Sequence, residues 1–177
     1  VARLLQVLVA LGHKAKDGTH GTSGVKVVVH ALLKGGTGLG GLGGKRLGGS
    51  RIGVRIATEL QDELNVKLIE YNPDKAYKLA ETLDRTLIIN EDGRDIDAMT
   101  EEGITSMDAF VAVTGRSETN ILTAMLAKRM GVKKVIAEVE NLNYINLAES
   151  IGIDTIINKK LVTASNIFRF TMSTDVQ

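Results

Sequence analysis

Two stretches of the sequence have glycines at a spacing that could hold a phosphate group. Gly36-Thr-Gly38-Leu-Gly-Gly41 fits the pattern G-x-G-x-x-G literally, and Gly48-Gly-Ser50-Arg-Ile-Gly53 fits it with serine in the middle position. In such a loop the first glycine permits a tight turn, the second lets the backbone approach the phosphate, and the third lets helix and strand pack closely. The phosphate then meets the N–H groups and positive dipole end of the following helix.

The residues that follow each stretch distinguish the two. After the second stretch, apolar residues recur every four positions (Ile52, Ile56, Leu60 and Leu64), which predicts an amphipathic helix over Arg51–Leu64. After the first stretch, glycines continue to Gly49 and no helix can begin. We therefore interpret Gly36–Gly41 as a flexible linker and Gly48–Gly53 as the candidate phosphate site.

An acidic residue stands where a ribose-binding group is expected. Glu70 ends the predicted strand Val66–Glu70 and lies 22 residues beyond Gly48, close to the usual spacing for an acid that binds ribose hydroxyls. The alternative to a phosphate-binding loop is that Gly48–Gly53 is a helix-capping turn that binds no ligand. The strand expected before Gly48 is reduced to Lys45-Arg46-Leu47, which is a poor candidate.

Catalytic groups are sparse. All three histidines, His13, His20 and His30, precede the candidate phosphate site, and the chain has no cysteine to act as a nucleophile or thiolate ligand. Tyr71 and Lys75 have a Tyr-x-x-x-Lys spacing, but the proline between them prevents one continuous helix from presenting both. These features predict a protein that is not an enzyme and has no metal site.

Two aspartates flank a predicted turn after the strand Thr86–Asn90. Asp92 and Asp95 could contact a ligand or a metal ion, but aspartates at such positions more often bond to their own backbone in Asx-type turns. We favour the turn.

The elements that position these residues alternate regularly. Beyond the first predicted helix and strand, further strands are predicted at Thr86–Asn90, Asp108–Thr114, Lys133–Glu140 and Ile153–Ile157, and helices at Asp74–Leu83, Asp95–Glu102, Glu118–Met130, Leu142–Ile151 and Lys159–Met172. Such alternation predicts an α/β fold, a Rossmann-like doubly wound parallel sheet with helices on both faces. Asn72 and Ser117 are predicted helix N-caps, and Gly103 is predicted to end a helix.

The first 47 residues differ from the rest in charge. They carry seven basic residues and one acid, whereas the other 130 residues carry 15 bases and 20 acids. Thirteen of the 19 glycines lie in residues 1–49, and Val25–Leu33 is predicted as a strand that pairs with Leu4–Leu11. We therefore expect residues 1–44 to be a solvated arm or a fragment of a neighbouring domain that ends in a glycine-rich linker, and residues 45–177 to be the nucleotide-binding domain.

The sequence disfavours a nucleic-acid-binding protein, a membrane-spanning protein and a secreted protein with a signal peptide. The basic segment has no aromatic residue to stack on bases, so no nucleic-acid partner is predicted. No apolar run approaches the length of a membrane span, and Val1–Leu11 lacks a signal-peptide cleavage site.

Several motifs together resemble one known family, the RCK/KTN (TrkA N-terminal-like) nucleotide-binding domains of Trk-type potassium-uptake regulators. The resemblance covers about residues 46–171 and is carried by Gly48-Gly-Ser-Arg-Ile-Gly53, Val66-Lys-Leu-Ile-Glu70, Glu91-Asp-Gly-Arg-Asp95, Ala109-Phe-Val-Ala-Val-Thr114, Glu118-Thr-Asn120 and Ala127-Lys-Arg-Met-Gly-Val-Lys-Lys-Val-Ile-Ala137.

The resemblance implies a regulatory subunit that binds NAD(H) or ATP/ADP and gates a membrane K⁺ translocation subunit. It implies homo-oligomers through the Rossmann-like domains and a cytoplasmic location, peripheral on the inner face of the membrane. Phosphate would be held by Gly48, Ser50, Arg51 and Gly53, the ribose by Glu70 and the adenine near Asp92, with Thr114 lining the pocket. Glu91 and Glu138 depart from the family pattern, which more often has glycine and arginine there. Asp17–Leu32 resembles the last strands of the family's small C-terminal domain (RCK_C), which implies that residues 1–44 are a remnant of such a small β-containing domain plus the linker.

Two alternatives remain open. The chain could be the cofactor-binding domain of an NAD-dependent dehydrogenase or epimerase, which would need a separate substrate domain. It could also be a Rossmann-like scaffold that binds no nucleotide. Because Glu70 would favour a free 2′,3′-diol and repel a 2′-phosphate, the sequence predicts NADH or ADP/ATP over NADPH.

Overall fold

The computed structural model describes residues 26–30 and 50–158, and of Ser50 and Arg51 it describes the backbone alone. Gly48, the stretch Gly36–Gly41, the predicted strand Leu4–Leu11 and the predicted terminal helix Lys159–Met172 lie outside these residues.

Strands and helices alternate through the described part of the chain. The strands are β1 (Lys26–His30), β2 (Asn65–Ile69), β3 (Thr86–Ile89), β4 (Ala109–Ala112), β5 (Lys134–Glu138) and β6 (Thr155–Ile157). The helices are α1 (Ser50–Leu60), α2 (Pro73–Thr82), α3 (Ile96–Glu101), α4 (Ser117–Arg129) and α5 (Ile145–Ser150), with short 3₁₀ turns at Ile104–Ser106 and Leu142–Tyr144. The predicted alternation is confirmed.

All these strands pair in parallel in the order β3-β2-β1-β4-β5-β6. Their carboxyl ends therefore lie along one edge of the sheet. The order reverses between β1 and β4, where Val29 is in register with Val111. Such a reversal leaves a crevice outside the strand ends, because the connections on its two sides leave in opposite directions.

β1 corrects the domain division expected from the sequence. Lys26–His30 was assigned to a leading domain ending at residue 44, but it lies at the centre of the sheet, hydrogen-bonded to β2 and β4. The physical reason is that Val27, Val28 and Val29 have no exposed surface, which is typical of a parallel strand covered on both faces. This strand takes the place for which Lys45-Arg46-Leu47 was the expected candidate. The rest of residues 1–44 lies outside the described part.

Helices cover both faces of the sheet, as predicted. On one face, Ile56 and Leu60 of α1 and Leu79 of α2 pack on alternate strand residues such as Val29 and Val111. On the other face, Ala124 of α4 packs in a second cluster that contains the strand residues Val28, Phe110 and Val135.

Two of the three predicted helix-end residues are confirmed, whereas the helix predicted over Arg51–Leu64 ends earlier, at Leu60, and the one predicted from Leu142 begins at Ile145. Asn72 caps α2, its side chain accepting from the Lys75 N–H at 3.1 Å, and Gly103 ends α3 with a left-handed φ of 69°. Ser117 was predicted to cap α4, but Arg116 occupies the cap position. The Ser117 hydroxyl instead accepts from the Glu140 N–H at 3.0 Å, because the loop after β5 approaches it.

Within residues 26–30 and 50–158, no helix is both long and apolar enough to span a membrane.

Candidate functional site

The candidate site lies at the carboxyl edge of the sheet, where the strand order reverses. β1 ends there at His30 and β4 at Ala112, and the Val113 N–H donates to the His30 carbonyl at 2.9 Å. α1 begins at Ser50, and its N-terminal end would offer free N–H groups to an anion. This is the arrangement in which open α/β sheets bind nucleotides.

The predicted phosphate-binding residues are only partly described. Ser50, Arg51 and Gly53 all lie in the first turn of α1, and Gly53 is buried. Gly48 lies outside the described residues. Their role in phosphate binding therefore stays a prediction.

Glu70 is the first residue after β2 and is 1% exposed. Its Oε1 accepts from the Asn72 N–H at 2.8 Å, while the Asn90 side chain donates to the Glu70 carbonyl at 2.8 Å. The Glu70 N–H donates to the Ile89 carbonyl at 3.0 Å, so neighbouring strands fix its backbone. Glu70 is thus a buried carboxylate that directly follows β2, and its role in ribose binding stays a prediction.

Asp92 forms an Asx-type turn, as predicted. Its Oδ1 accepts from the Arg94 N–H at 3.0 Å, and the Arg94 guanidinium donates to both carboxylate oxygens at 2.6–3.2 Å. These hydrogen bonds from Arg94 hold the pKa of Asp92 below its ordinary value, although partial burial opposes them. Asp95 likewise caps α3, accepting from the Asp97 N–H at 2.9 Å. The Asp92 carboxylate is thus engaged by Arg94.

Thr114 is 1% exposed, and its polar atoms are directed to another residue. Its N–H and hydroxyl both donate to Asn120 Oδ1, at 2.8 and 2.6 Å. The Asn120 amide in turn donates to the Glu138 carbonyl at 2.8 Å. Asn120 therefore ties the ends of β4 and β5 to the first turn of α4. No role was predicted for Asn120 from the sequence, where the one indication is an amide side chain near the start of the predicted helix Glu118–Met130.

His30 and Gly93 form a close contact that was not predicted from the sequence. A Cβ on Gly93 would lie 2.7 Å from the His30 ring, so only glycine permits this close approach. His30 Nδ1 is 3.4 Å from Thr123 Oγ1, whose own proton goes to the Thr119 carbonyl at 2.9 Å. Burial lowers the pKa of His30 to about 4, with Asp92 raising it and Arg94 lowering it to smaller extents. The ring is therefore neutral at neutral pH.

An open cleft lies beside Thr114 at the same edge. It has a volume of about 610 Å³ and is lined by the loops Gly115–Glu118 and Glu140–Asn143. Gly115 has a φ of 79°, which turns the chain sharply from β4 toward α4. Of the predicted site residues, Glu70, Asp92 and Thr114 follow the carboxyl ends of β2, β3 and β4, and Gly53 lies in α1; none of them lines this cleft. In the described part, no group of three or more metal-ligating side chains is found.

The strand order, the crevice at the reversal and the acid after β2 define a Rossmann-type α/β domain of the nucleotide-binding class. Residues 47–159 match the TrkA-N domain, and the chain belongs to this family. The family predicted from the sequence motifs is confirmed.

Two relatives show the extent of the match. The Trk system potassium uptake protein TrkA of Vibrio alginolyticus is 38% identical over 130 residues, which cover 73% of this chain and 28% of the relative. TrkA homolog 2 of Methanosarcina mazei is 36% identical over 128 residues, covering 71% of this chain and 29% of the relative. The chain thus spans less than a third of the length of these relatives.

Solved structures share the fold at low sequence identity. The TrkA-N domain of the inner membrane protein ybaL from Escherichia coli superimposes with a TM-score of 0.64 at 10% identity, covering 82% of this chain and 95% of that domain. The GsuK channel bound to NAD has a TM-score of 0.56 at 11% identity and covers 86% of this chain and 26% of that one. GsuK bound to ADP gives 0.56 at 12% identity, with 87% and 38% covered.

Proposed function

We propose that this chain is the nucleotide-sensing domain of a regulatory subunit in a Trk-type K⁺ uptake system. It binds NAD(H) or ATP/ADP and gates a membrane translocation subunit, without catalysing a reaction. Membership of the TrkA-N family supports the role, since the relatives are named potassium uptake proteins. The observation that carries the ligand class is the buried Glu70 carboxylate at the end of β2.

In this proposal the nucleotide lies across the carboxyl edge of the sheet. The diphosphate meets Gly48, Ser50, Arg51 and Gly53 at the start of α1, and the ribose hydroxyls bind Glu70. Thr114 lines the far side of the pocket. The structures of GsuK bound to NAD and of GsuK bound to ADP support both ligands as candidates.

Because Glu70 is closed to solvent, ribose binding must open its surroundings. The nucleotide therefore favours one arrangement of the domain over another, and this difference in affinity is what a gating signal requires. Assembly into a homo-oligomer, contact with the membrane subunit and a cytoplasmic position at the inner membrane face belong to the same proposal.

A catalytic role as the cofactor domain of a dehydrogenase or epimerase is the weaker proposal. Such an enzyme needs an acid or base near the nicotinamide. Within residues 26–30 and 50–158 the single histidine is His30. Because His30 is buried and has a pKa of about 4, it is a poor general acid or base near neutral pH.

Calorimetry with NADH, NAD⁺, ATP, ADP and NADPH tests the proposal. We expect NADH or an adenine nucleotide to bind and NADPH to bind more weakly, because Glu70 repels a 2′-phosphate. Glu70→Gln should weaken binding by about tenfold, as expected for loss of charge-assisted hydrogen bonds. The matched control is Glu81→Gln on the exposed face of α2. Absence of binding by every nucleotide, or equal binding by Glu70→Gln, would overturn the proposal.

A further inference from the structure

We propose that the apolar segment of residues 1–11 docks in a groove at the amino edge of the sheet, opposite the edge that carries the candidate nucleotide site. This inference goes beyond the proposed function, because it concerns a different surface and needs no nucleotide. The occupant is a segment of this same chain that lies outside the described residues.

The groove has a volume of about 410 Å³. Lys26, Lys67 and Leu87 line it from the amino halves of β1, β2 and β3, and Gly103 and Met107 line it from the connection between α3 and β4. The start of the central strand therefore forms part of its wall.

Leu87 gives the groove an open apolar surface. It lies opposite Lys67 in the register of β2 and β3 and two residues before Ile89, so the three side chains share one face of the sheet. Ile89 is 5% exposed and belongs to the same core cluster as Met99 of α3, whereas Leu87 is 56% exposed. Because α3 has six residues, the described helices of this face cover β3 at Ile89 but not at Leu87.

Lys67 does not make the groove hostile to apolar groups. Its ammonium donates to the Glu102 carbonyl at 2.6 Å and lies 3.7 Å from the Glu102 carboxylate, and its side chain is 23% exposed. An aliphatic side chain can therefore pack on the methylenes of Lys67 without leaving its charge unpaired. The groove suits leucine and valine side chains.

Residues 1–11 need such a surface. Nine of these residues are apolar, the exceptions being Arg3 and Gln6. Residues 4–11 were predicted to pair with the strand that became β1, but this prediction is wrong, because β2 and β4 occupy the two sides of β1. Burial of the run from water therefore requires a different apolar surface.

The connection of the chain brings residues 1–11 to the groove. β1 begins at Lys26, which is itself a lining residue. Residues 12–25, of which four are glycine, join the two and span at most about 50 Å when fully extended. Because segment and groove belong to one chain, a high effective concentration favours their contact over contact with a separate partner.

Engineered cysteine pairs test the contact, because the chain has no cysteine of its own. Leu87→Cys is combined in the full chain with Leu5→Cys, Leu8→Cys or Leu11→Cys, and each pair is oxidised with oxidised glutathione. We expect at least one pair to form a disulfide within one chain at least tenfold faster than the same segment position paired with Lys133→Cys.

Lys133 is the matched control because it lies at the same edge but does not line the groove. Its ammonium is 3.5 Å from Asp108 Oδ1, and Asp108 Oδ2 accepts from the Lys26 N–H at 3.0 Å. Its side chain is 82% exposed. A solvated arm that leaves the fold at Lys26 would therefore reach this position as readily as Leu87.

Urea unfolding gives a second readout. Leu87→Ala and the triple change of Leu5, Leu8 and Leu11 to alanine should each lower the midpoint, and their combination should lower it by less than the sum, since both remove one contact. Affinity for ADP should stay that of the parent chain in Leu87→Ala, because the nucleotide is proposed to bind at the opposite edge.

The outcomes distinguish the possible occupants. If the Leu87→Cys product has the mass of two chains, a second copy fills the groove and the proposal is overturned. If Leu87→Cys and Lys133→Cys react at equal rates, or the urea effects are additive, residues 1–11 are a solvated arm and the proposal is again overturned. None of these results bears on the proposed nucleotide site, which fails only if the parent chain binds no nucleotide.

Discussion

The two halves of the carboxyl edge use polar residues in opposite ways. At the ends of β2 and β3, Tyr71 and Arg94 are exposed, and only Glu70 is buried. At the ends of β4 and β5, Thr114 and Asn120 are buried and direct their hydrogen bonds to one another and to the Glu138 backbone. The first half can present groups to a ligand, whereas the second braces the frame that holds them.

His30 joins the two halves. It ends β1 and contacts Gly93 from the loop after β3 and Thr123 from α4. Changes at buried contacts should therefore alter stability, and changes at the exposed residues should alter binding with little effect on stability.

The largest effect is expected for Asn120→Ala. It removes the partner of the Thr114 N–H and hydroxyl and of the Glu138 carbonyl, all of them buried. We expect the free energy of unfolding to fall by about 3 kcal/mol, because buried polar groups without partners are costly. Urea denaturation measures this, with the exposed Asn143→Ala as control. If Asn120→Ala lowers the free energy of unfolding no more than the control does, the hydrogen bonds of Asn120 do not stabilise the fold.

The pH dependence of stability should report on His30. Its pKa is about 4 in the folded chain and about 6.5 when unfolded, so the unfolded state binds the proton more readily. Stability contributed by the neutral ring is complete above pH 6.5 and declines as the pH falls toward 4, by roughly 3 kcal/mol in total.

The measurement is urea denaturation between pH 4 and 7.5 for the parent chain and for His30→Gln. The difference in slope between the two isolates the histidine from the carboxylates that titrate in the same range. Parallel curves would mean that His30 takes up its proton in the folded state as easily as in the unfolded one.

Gly93→Ala should test the contact between the two halves. The added Cβ would lie 2.7 Å from the His30 ring, and we expect destabilisation of about 2 kcal/mol from overpacking. The double variant Gly93→Ala with His30→Ala should recover part of that loss, since the smaller side chain makes room. A double-mutant cycle in urea measures the coupling, and additive effects would contradict a direct clash.

The smallest effect on stability is expected for Arg94→Ala. The ion pair with Asp92 is exposed and joins residues two apart in the chain, so its loss should change the free energy of unfolding by less than about 0.5 kcal/mol. Thermal unfolding checks this at low and high salt. A large loss of stability would place Arg94 among the bracing residues instead of the exposed ones.

Much of the fold was predictable because it depends on local patterns. The helix cap at Asn72, the left-handed Gly103 and the alternation of strands and helices all follow from residues within one or two turns of each other. The position of Glu70 at the end of β2 followed in the same way.

Other features could not be predicted from residues close together in the sequence. Ser117 looks like a helix cap, and only the approach of Glu140 shows why its hydroxyl is used elsewhere. The Asx-type turn at Asp92 was predicted, but the bidentate pair with Arg94 was not, because it depends on the conformation of the Arg94 side chain. The roles of Gly48, Ser50, Arg51 and Gly53 stay predictions.

By itself the sequence determined the class of fold, the family and the acid after the second strand, since periodicity and motif spacing are short-range properties. Only the tertiary structure decided that Lys26–His30 is the central strand, because its partners in β2 and β4 lie 39 and 82 residues away along the chain (Lys26 opposite Asn65, Val27 opposite Ala109). The hydrogen bonds of Asn120 to Thr114 and Glu138, and the contact of Gly93 with His30, were likewise decided only by the tertiary structure. Pairing between distant segments depends on how whole surfaces pack, and no local pattern encodes it.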